Sequence, residues 1–180
     1  IIESGDWFTP FSKPHLKLAG SYWLTVLSLL SFGQNEFAAR LPSYILSLAT
    51  LYIFYCLSRD LINKEIARLS TLILSTSFLW FSYSHYCSPD TFFVFINILA
   101  LYYLSKINSS SNIQGDYKYI FVSACLFSFG FFIRTYFELL PLICFSPFII
   151  HKLNFSNKKY YLIFCLGLLA GFIPSLINIV

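Results

Sequence analysis

Long apolar stretches without a charged side chain are the feature that most constrains the fold of this chain. They recur along almost its whole length and are separated by short polar segments: 18–32, 41–58, 69–89, 91–105, 119–133, 139–150 and 160–180. A helix that crosses a bilayer needs about 20 mostly apolar residues, and fewer when charged side chains at its ends reach the interface. Only 11% of the residues are charged, against about 25% in an average soluble domain. The chain is therefore predicted to be all-α, a polytopic bundle of transmembrane helices.

The beginning of the chain differs from the rest, because turn-forming and charged residues are concentrated there. We predict that residues 1–40 form an outer loop partly embedded in the membrane, in which run 18–32 is a helix lying in the interface. Residues 41–180 would then supply about six transmembrane helices. The sequence starts with Ile rather than Met and ends in an apolar run. We therefore expect residues 1–180 to be a single, partial membrane domain of a longer protein.

The distribution of basic residues predicts the orientation of the bundle. If residues 1–40 lie outside, the inner loops are 59–68, 106–118 and 151–159, and these loops hold most of the Lys and Arg side chains. Loops that stay on the cytoplasmic side carry an excess of Lys and Arg. The pattern therefore favours residues 1–40 on the outer side.

Two lysines in the predicted outer loop are the first candidates for binding. Lys13 and Lys17 flank Pro14-His15-Leu16 just before the predicted interfacial helix. Ammonium groups at the level of the lipid headgroups could hold a phosphate. They could equally anchor the loop by extending their charged ends to the interface.

Further candidates lie at the predicted outer ends of later helices. Asp90 follows Pro89 at a helix start, where a carboxylate interacts favourably with the helix dipole. His85 could be an interfacial aromatic residue or a catalyst. Arg134 could pair with Glu138 one helical turn later, or it could reach an anionic lipid headgroup. Charges near membrane depth are costly and often functional, so each position is a candidate site residue.

Other features of the sequence limit the function. Glu36 and Arg40 have helical spacing and are predicted to form a local ion pair. No metal-binding motif, P-loop or hydrolase motif is present, so no metal site and no cofactor are predicted. A divalent cation is compatible with the sequence but is not supported by it. The basic residues are scattered between apolar runs, which argues against nucleic acid as a partner.

The order of several short motifs resembles glycosyltransferase family 39, the aminoarabinose transferase and protein O-mannosyltransferase family of the GT-C superfamily. The motifs that resemble its first outer loop are Ser4-Gly5-Asp6-Trp7, Pro10, Ala19-Gly20-Ser21-Tyr22-Trp23, Phe32-Gly33, Asn35-Glu36-Phe37 and Ala39-Arg40-Leu41-Pro42. The stretch from Tyr86 to Asp90 is similar to its second outer loop. Arg134-Thr135 stand where the family usually carries Lys-Gly. The resemblance covers nearly the whole chain.

The resemblance implies an incomplete GT-C-like membrane domain of a multi-pass enzyme. Such an enzyme transfers a sugar, with inversion, from a polyprenyl-phosphate donor to a lipid or protein acceptor on the outer face. Membrane lipids would be further partners. The expected location is the plasma (bacterial inner) membrane, with residues 1–40 on the periplasmic side.

The resemblance also assigns expected roles to particular residues. The catalytic acidic pair of the family would lie upstream of Ile1, so no catalytic residue is expected here and the chain alone should be inactive. Lys17, or Lys13 if a gap is allowed, is expected to contact the lipid phosphate. Arg134 and Asp90 occupy the positions of the family's basic residue and second-loop aspartate.

A transporter or flippase for lipid-linked sugars is the alternative function, because it would also need cations on the outer side. It would carry charges at the middle of the bilayer and some internal repeat symmetry. The sequence shows neither feature. A purely structural membrane subunit is a third possibility, but it leaves the ordered outer-loop motifs unexplained.

Overall fold

The computed structural model of this chain describes residues 20–107, 113–153 and 158–177. The prediction of an all-α chain is confirmed, since these residues form helices and contain no strand. The helices are α1 (Gly20–Phe32), α2 (Glu36–Leu61), α3 (Lys64–Thr76), α4 (Phe78–His85), α5 (Pro89–Ser105), α6 (Ile113–Arg134), a 3-10 turn (Thr135–Glu138), α7 (Leu139–Leu153) and α8 (Lys158–Ile177).

Short polar side chains mark where several of these helices begin. Asn35 accepts a hydrogen bond from the Ala38 N–H at 2.7 Å and so caps α2. Asn63 caps α3 in the same way, with the Ile66 N–H as the donor at 2.8 Å. Asn and Ser are favoured at such positions because their oxygens satisfy N–H groups that the first helical turn leaves unpaired.

Polar contacts at the helix termini define one end of the bundle, which we call the Lys106 end. Lys106, directly after α5, donates to Asp60 of α2 at 2.6 Å. Lys152 of α7 donates to the Ser105 carbonyl of α5 at 3.2 Å, and the Tyr160 hydroxyl of α8 donates to Asp116 of α6 at 3.2 Å. The hydrogen bond to Asp60 raises the pKa of Lys106. Each of these residues belongs to a loop or helix terminus that the sequence places on the inner side.

The opposite end, which we call the Arg134 end, carries an ion pair between Asp90 at the start of α5 and Arg134 at the end of α6. The short helix α1 also packs here. Trp23 contacts the Phe132 ring with centroids 5.0 Å apart, and Ser28 donates a hydrogen bond to the Ala38 carbonyl at 2.6 Å. Asp90, Arg134 and the helix α1, all predicted to lie on the outer side, are therefore at the same end of the bundle.

The chain passes back and forth between these two ends. The α2 helix leads to the Lys106 end, and α3 with α4 return beside it, since His85 packs against Tyr44 with ring centroids 5.0 Å apart. The helices α5, α6 and α7 alternate in direction, and α8 runs parallel to α6.

Three helices among the described residues are long and apolar enough to cross a membrane: Glu36–Leu61, Asp116–Arg134 and Tyr136–Leu153. A fourth is counted if α4 and α5, which meet at 117°, form one span. The chain is thus a multi-pass membrane protein. The expectation of about six spans in 41–180 stays a prediction.

The apolar run 69–89 is long enough to predict one membrane-spanning helix, but it does not form a single continuous helix. The α3 helix ends at Thr76 and α4 begins at Phe78, with the backbone of Ser77 extended between them (ψ 134°). The Ser77 hydroxyl donates to the Leu74 carbonyl at 2.8 Å and accepts from the Trp80 N–H at 3.4 Å. Serine hydroxyls compete in this way with the hydrogen bonds of a continuous helix.

The helices α6 and α8 pack closely because α8 presents two glycines to α6. A Cβ atom on Gly167 would lie 2.6 Å from the Ala124 Cβ. One on Gly171 would overlap the Cys125 carbonyl oxygen and lie 2.9 Å from the Ser128 Cβ. Small residues spaced like these let helices approach closely in a membrane, where van der Waals contact replaces the hydrophobic effect as the driving force.

We expect Gly171→Leu to destabilise the bundle by about 1–3 kcal/mol, because the new side chain has no space between α6 and α8. Cys165→Leu is the matched control, since this residue is on the same helix but exposed. Thermal unfolding in detergent would measure both variants. Equal unfolding temperatures for the two would contradict the close packing of these helices.

Candidate functional site

A cavity of about 390 Å³ lies at the Arg134 end, between α3, α4 and α5 and beside the end of α6. Its lining is mostly apolar and aromatic, with one charged pair: Leu74, Ser77, Leu79, Trp80, Tyr83, Asp90, Thr91, Val94 and Arg134. Apolar walls with a few polar groups are typical of ligand pockets, because the polar groups orient what the apolar walls bury. This cavity is the candidate site.

The charged pair in the cavity is held in place from several directions. Ser88 caps α5 and donates a hydrogen bond to the Asp90 carboxylate at 2.6 Å, while the other carboxylate oxygen of Asp90 binds Arg134. The Arg134 guanidinium also lies over the Phe137 ring, 5.5 Å from its centroid. About a quarter of the Asp90 side chain and a third of the Arg134 side chain remain exposed (25% and 32%). The pair is therefore ordered but accessible.

The chemistry of this arrangement suits an anion. A guanidinium group carries five N–H donors in a planar fork, which is more than one carboxylate can accept. Arg134 can therefore keep its contact with Asp90 and bind a phosphate that enters the cavity. Such charge-assisted hydrogen bonds are stronger than those between neutral groups.

Two of the four predicted site residues are brought together here. Asp90 and Arg134 border different apolar runs and form a direct ion pair. Lys13 and Lys17 lie outside the described residues, so their contact with a phosphate stays a prediction. Within the part of the chain that the structure describes, no group of three His, Cys, Asp or Glu side chains could hold a metal ion.

The alternative in which Arg134 pairs with Glu138 is wrong. Arg134 pairs with Asp90, and Glu138 is fully buried, where Asn97 Nδ2 donates to it at 3.1 Å. The 3-10 turn between them breaks the helical spacing on which that alternative depended. The local pair of Glu36 and Arg40 is confirmed, with 2.8 Å between Arg40 Nη2 and Glu36 Oε1.

His85 makes contacts that favour a packing role. Its Nδ1 atom lies 2.6 Å from the Phe81 carbonyl oxygen in the preceding turn of α4. Its ring packs edge-on against Tyr44 of α2 and tilted against Phe81. His85 does not line the cavity. These contacts fit the interfacial aromatic residue that the sequence offered as one alternative.

The sequence analysis missed the buried contact between Glu138 and Asn97. These two residues are 0% and 5% exposed and link α5 to the start of α7. A signal was available, because Asn97 is an amide inside the apolar run 91–105, and polar groups at membrane depth are costly unless they are paired. Nothing in the sequence pointed to its partner, since the two residues are far apart in the chain.

Comparison with known proteins gives a consistent family match. The family model described as dolichyl-phosphate-mannose-protein mannosyltransferase matches residues 17–177. A protein of Edwardsiella ictaluri named undecaprenyl phosphate-alpha-4-amino-4-deoxy-L-arabinose arabinosyl transferase is 28% identical, over 99% of this chain and 32% of its own length. A protein of the same name from Photorhabdus laumondii is 26% identical, over 94% and 31%.

An uncharacterized protein of Aquifex aeolicus is 34% identical, over 57% of this chain and 21% of its own length. The chain thus spans between about a fifth and a third of these curated relatives. No solved structure gives a significant match to the chain.

We expect a double-mutant cycle of Asp90→Asn and Arg134→Gln to give a coupling energy of about 0.5–1 kcal/mol, because the pair is partly shielded from solvent. The control is the same cycle on Glu36→Gln and Arg40→Gln, where the side chains are 84% and 44% exposed. Unfolding in mixed detergent would measure both. A control coupling as large as that of the site would contradict the shielded environment of Asp90 and Arg134.

Proposed function

Because the chain belongs to the dolichyl-phosphate-mannose-protein mannosyltransferase family, we propose that it is the donor-phosphate-binding part of a membrane glycosyltransferase. The enzyme moves a sugar from a polyprenyl-phosphate donor to a lipid or protein acceptor on the outer face of the membrane. The observation that carries the proposal is the Asp90–Arg134 pair in the wall of an apolar cavity. A phosphate attached to a polyprenyl chain needs both a cation and an apolar surface.

The proposed reaction develops negative charge on the donor phosphate. The bond between the anomeric carbon and the donor phosphate breaks, and the acceptor hydroxyl forms the new bond to that carbon. Negative charge develops on the departing phosphate oxygen, so a cation placed there in advance stabilises the transition state. Arg134 supplies this cation, and Asp90 orients its guanidinium.

The proton of the acceptor hydroxyl goes to a carboxylate that acts as general base. We assign none of the described residues to this role. The contribution of the described residues is therefore to bind the donor and to stabilise its leaving group.

The apolar walls suit the lipid part of the donor. Leu74, Leu79, Trp80 and Val94 surround a volume of about 390 Å³ next to the ion pair. This space accommodates the first units of a polyprenyl chain, with the phosphate at Arg134. The relatives named as undecaprenyl-phosphate aminoarabinose transferases support a lipid-linked sugar as the donor.

The proposed location is the bacterial inner membrane, with the Arg134 end on the periplasmic side. The Lys106 end holds basic residues such as Lys106 and Lys152, and the cytoplasmic side of a membrane protein is normally the more basic one.

Arg134→Gln should lower kcat/KM for sugar transfer by about 100-fold or more, because the leaving phosphate loses its cation. The full-length protein in proteoliposomes, supplied with a polyprenyl-phosphate-linked sugar, provides the assay. Arg40→Gln is the matched control and should remain within about twofold of the wild type.

Unchanged transfer in the Arg134→Gln variant would refute the proposed site. Movement of the lipid-linked sugar across the membrane without transfer would instead support the alternative function of a flippase.

Lys17→Gln should reduce transfer more than Lys13→Gln, because Lys17 fits the family pattern without a gap. Removing a phosphate-binding cation should raise the KM for the donor by about tenfold while the protein stays folded. The same proteoliposome assay distinguishes the two lysines. An equal and small effect of both substitutions would favour simple anchoring of the loop.

A further inference from the structure

A buried carboxyl group lies one short turn after Arg134, between α5 and α6. Glu138, the last residue of the 3-10 turn after Arg134, has no exposed surface. Its carboxyl group folds back onto α6 and fills the space that a side chain at Gly130 would take, so that a Cβ there would overlap Glu138 Oε2. Asn97 of α5 donates a hydrogen bond to Glu138 Oε2 at 3.1 Å. The contact therefore joins α5, α6 and the 3-10 turn.

The hydrogen bonds around Glu138 lack one donor. Both N–H groups of the Asn97 amide are used, one by Glu138 Oε2 and one by the Phe93 carbonyl, each at 3.1 Å. Glu138 Oε1 and Asn97 Oδ1 are buried and have no hydrogen-bond partner in the described residues. An ionised carboxylate only accepts hydrogen bonds, and burying one without sufficient donors is strongly unfavourable. A proton on Oε1 removes the buried negative charge and turns this oxygen into a donor.

The position of this contact connects it to Arg134. Asn97 lies about two helical turns after Asp90 on α5, which places both side chains on the same face of that helix. Asp90 binds Arg134 and Asn97 binds Glu138. The segment from Arg134 to Glu138 is thus attached to one face of α5 at both of its ends. If the hydrogen bond between Asn97 and Glu138 is lost, the 3-10 turn is no longer held against α5 and the Arg134 guanidinium is no longer directed into the cavity.

We propose that Glu138 is a positioning residue, kept as a neutral carboxylic acid by its complete burial and hydrogen-bonded to Asn97, that fixes the turn after α6 and directs Arg134 into the cavity. This inference rests on the proposed role of Arg134 in binding the donor phosphate. A neutral Glu138 also has an electrostatic advantage. An ionised one would add a negative charge near Arg134 and weaken the attraction of the site for a phosphate.

The test compares two substitutions at the same position in the full-length protein. Glu138→Gln keeps the shape and supplies an N–H donor in place of the acid hydroxyl, so kcat and the KM for a polyprenyl-phosphate-linked sugar should stay within about twofold of the wild type. Glu138→Leu fills a similar volume without any polar group. It should raise the KM for the donor by about tenfold and leave the KM for the acceptor unchanged.

A second measurement separates positioning from general stability. If Glu138 acts through Arg134, Glu138→Leu should have little further effect on transfer when it is added to Arg134→Gln. Infrared difference spectra between the wild type and Glu138→Gln should contain the carbonyl band of a protonated carboxylic acid. This band does not depend on activity, so it remains informative even if Glu138→Leu fails to fold.

Three results would overturn the inference: equal damage from Glu138→Gln and Glu138→Leu, a full additional loss on top of Arg134→Gln, or carboxylate bands in place of the acid band. Unchanged transfer in Arg134→Gln alone would instead refute the proposed function. In that case the infrared band would still report the protonation state of Glu138.

Discussion

The ion pair between Asp90 and Arg134 ties the start of α5 to the end of α6, and it is placed where a membrane protein can hold charges. A hydrocarbon interior offers no water to bond polar groups, so charged side chains gather at the ends of the bundle or find partners inside it. At the Lys106 end the partners are Asp60, Lys106 and helix-terminal carbonyls. At the Arg134 end they form the wall of a cavity. The same constraint therefore produces both the frame and the candidate site.

Much of the fold could be predicted because the apolar runs mark where the helices lie. They indicate helices, their order and the end at which each charged loop lies. The family resemblance drawn from the ordered motifs is confirmed by the match over residues 17–177. The break at Ser77 could not be predicted from the apolar run, since no Asp, Glu, Lys or Arg interrupts residues 69–89. It depends on two hydrogen bonds of a single hydroxyl group.

The candidate site could be predicted only in part. Asp90 and Arg134 stand out because each is a charge at the end of an apolar run, but their pairing depends on how α5 and α6 pack. Helical spacing suggested Glu138 as the partner of Arg134, and the 3-10 turn removed that spacing. The contact of Glu138 with Asn97 joins residues distant in sequence, and such contacts follow from tertiary packing, which local patterns do not encode.

The break at Ser77 has a consequence for the shape of the cavity. Ser77 lines the cavity together with Leu74 on one side of the break and with Leu79, Trp80 and Tyr83 on the other. If α3 continued into α4 as one straight helix, the aromatic side chains of α4 would face a different direction around the helix axis. The shape of the space available to a bound molecule thus depends on one break in the helical backbone. Moving this break by one residue would enclose a differently shaped space beside the same ion pair.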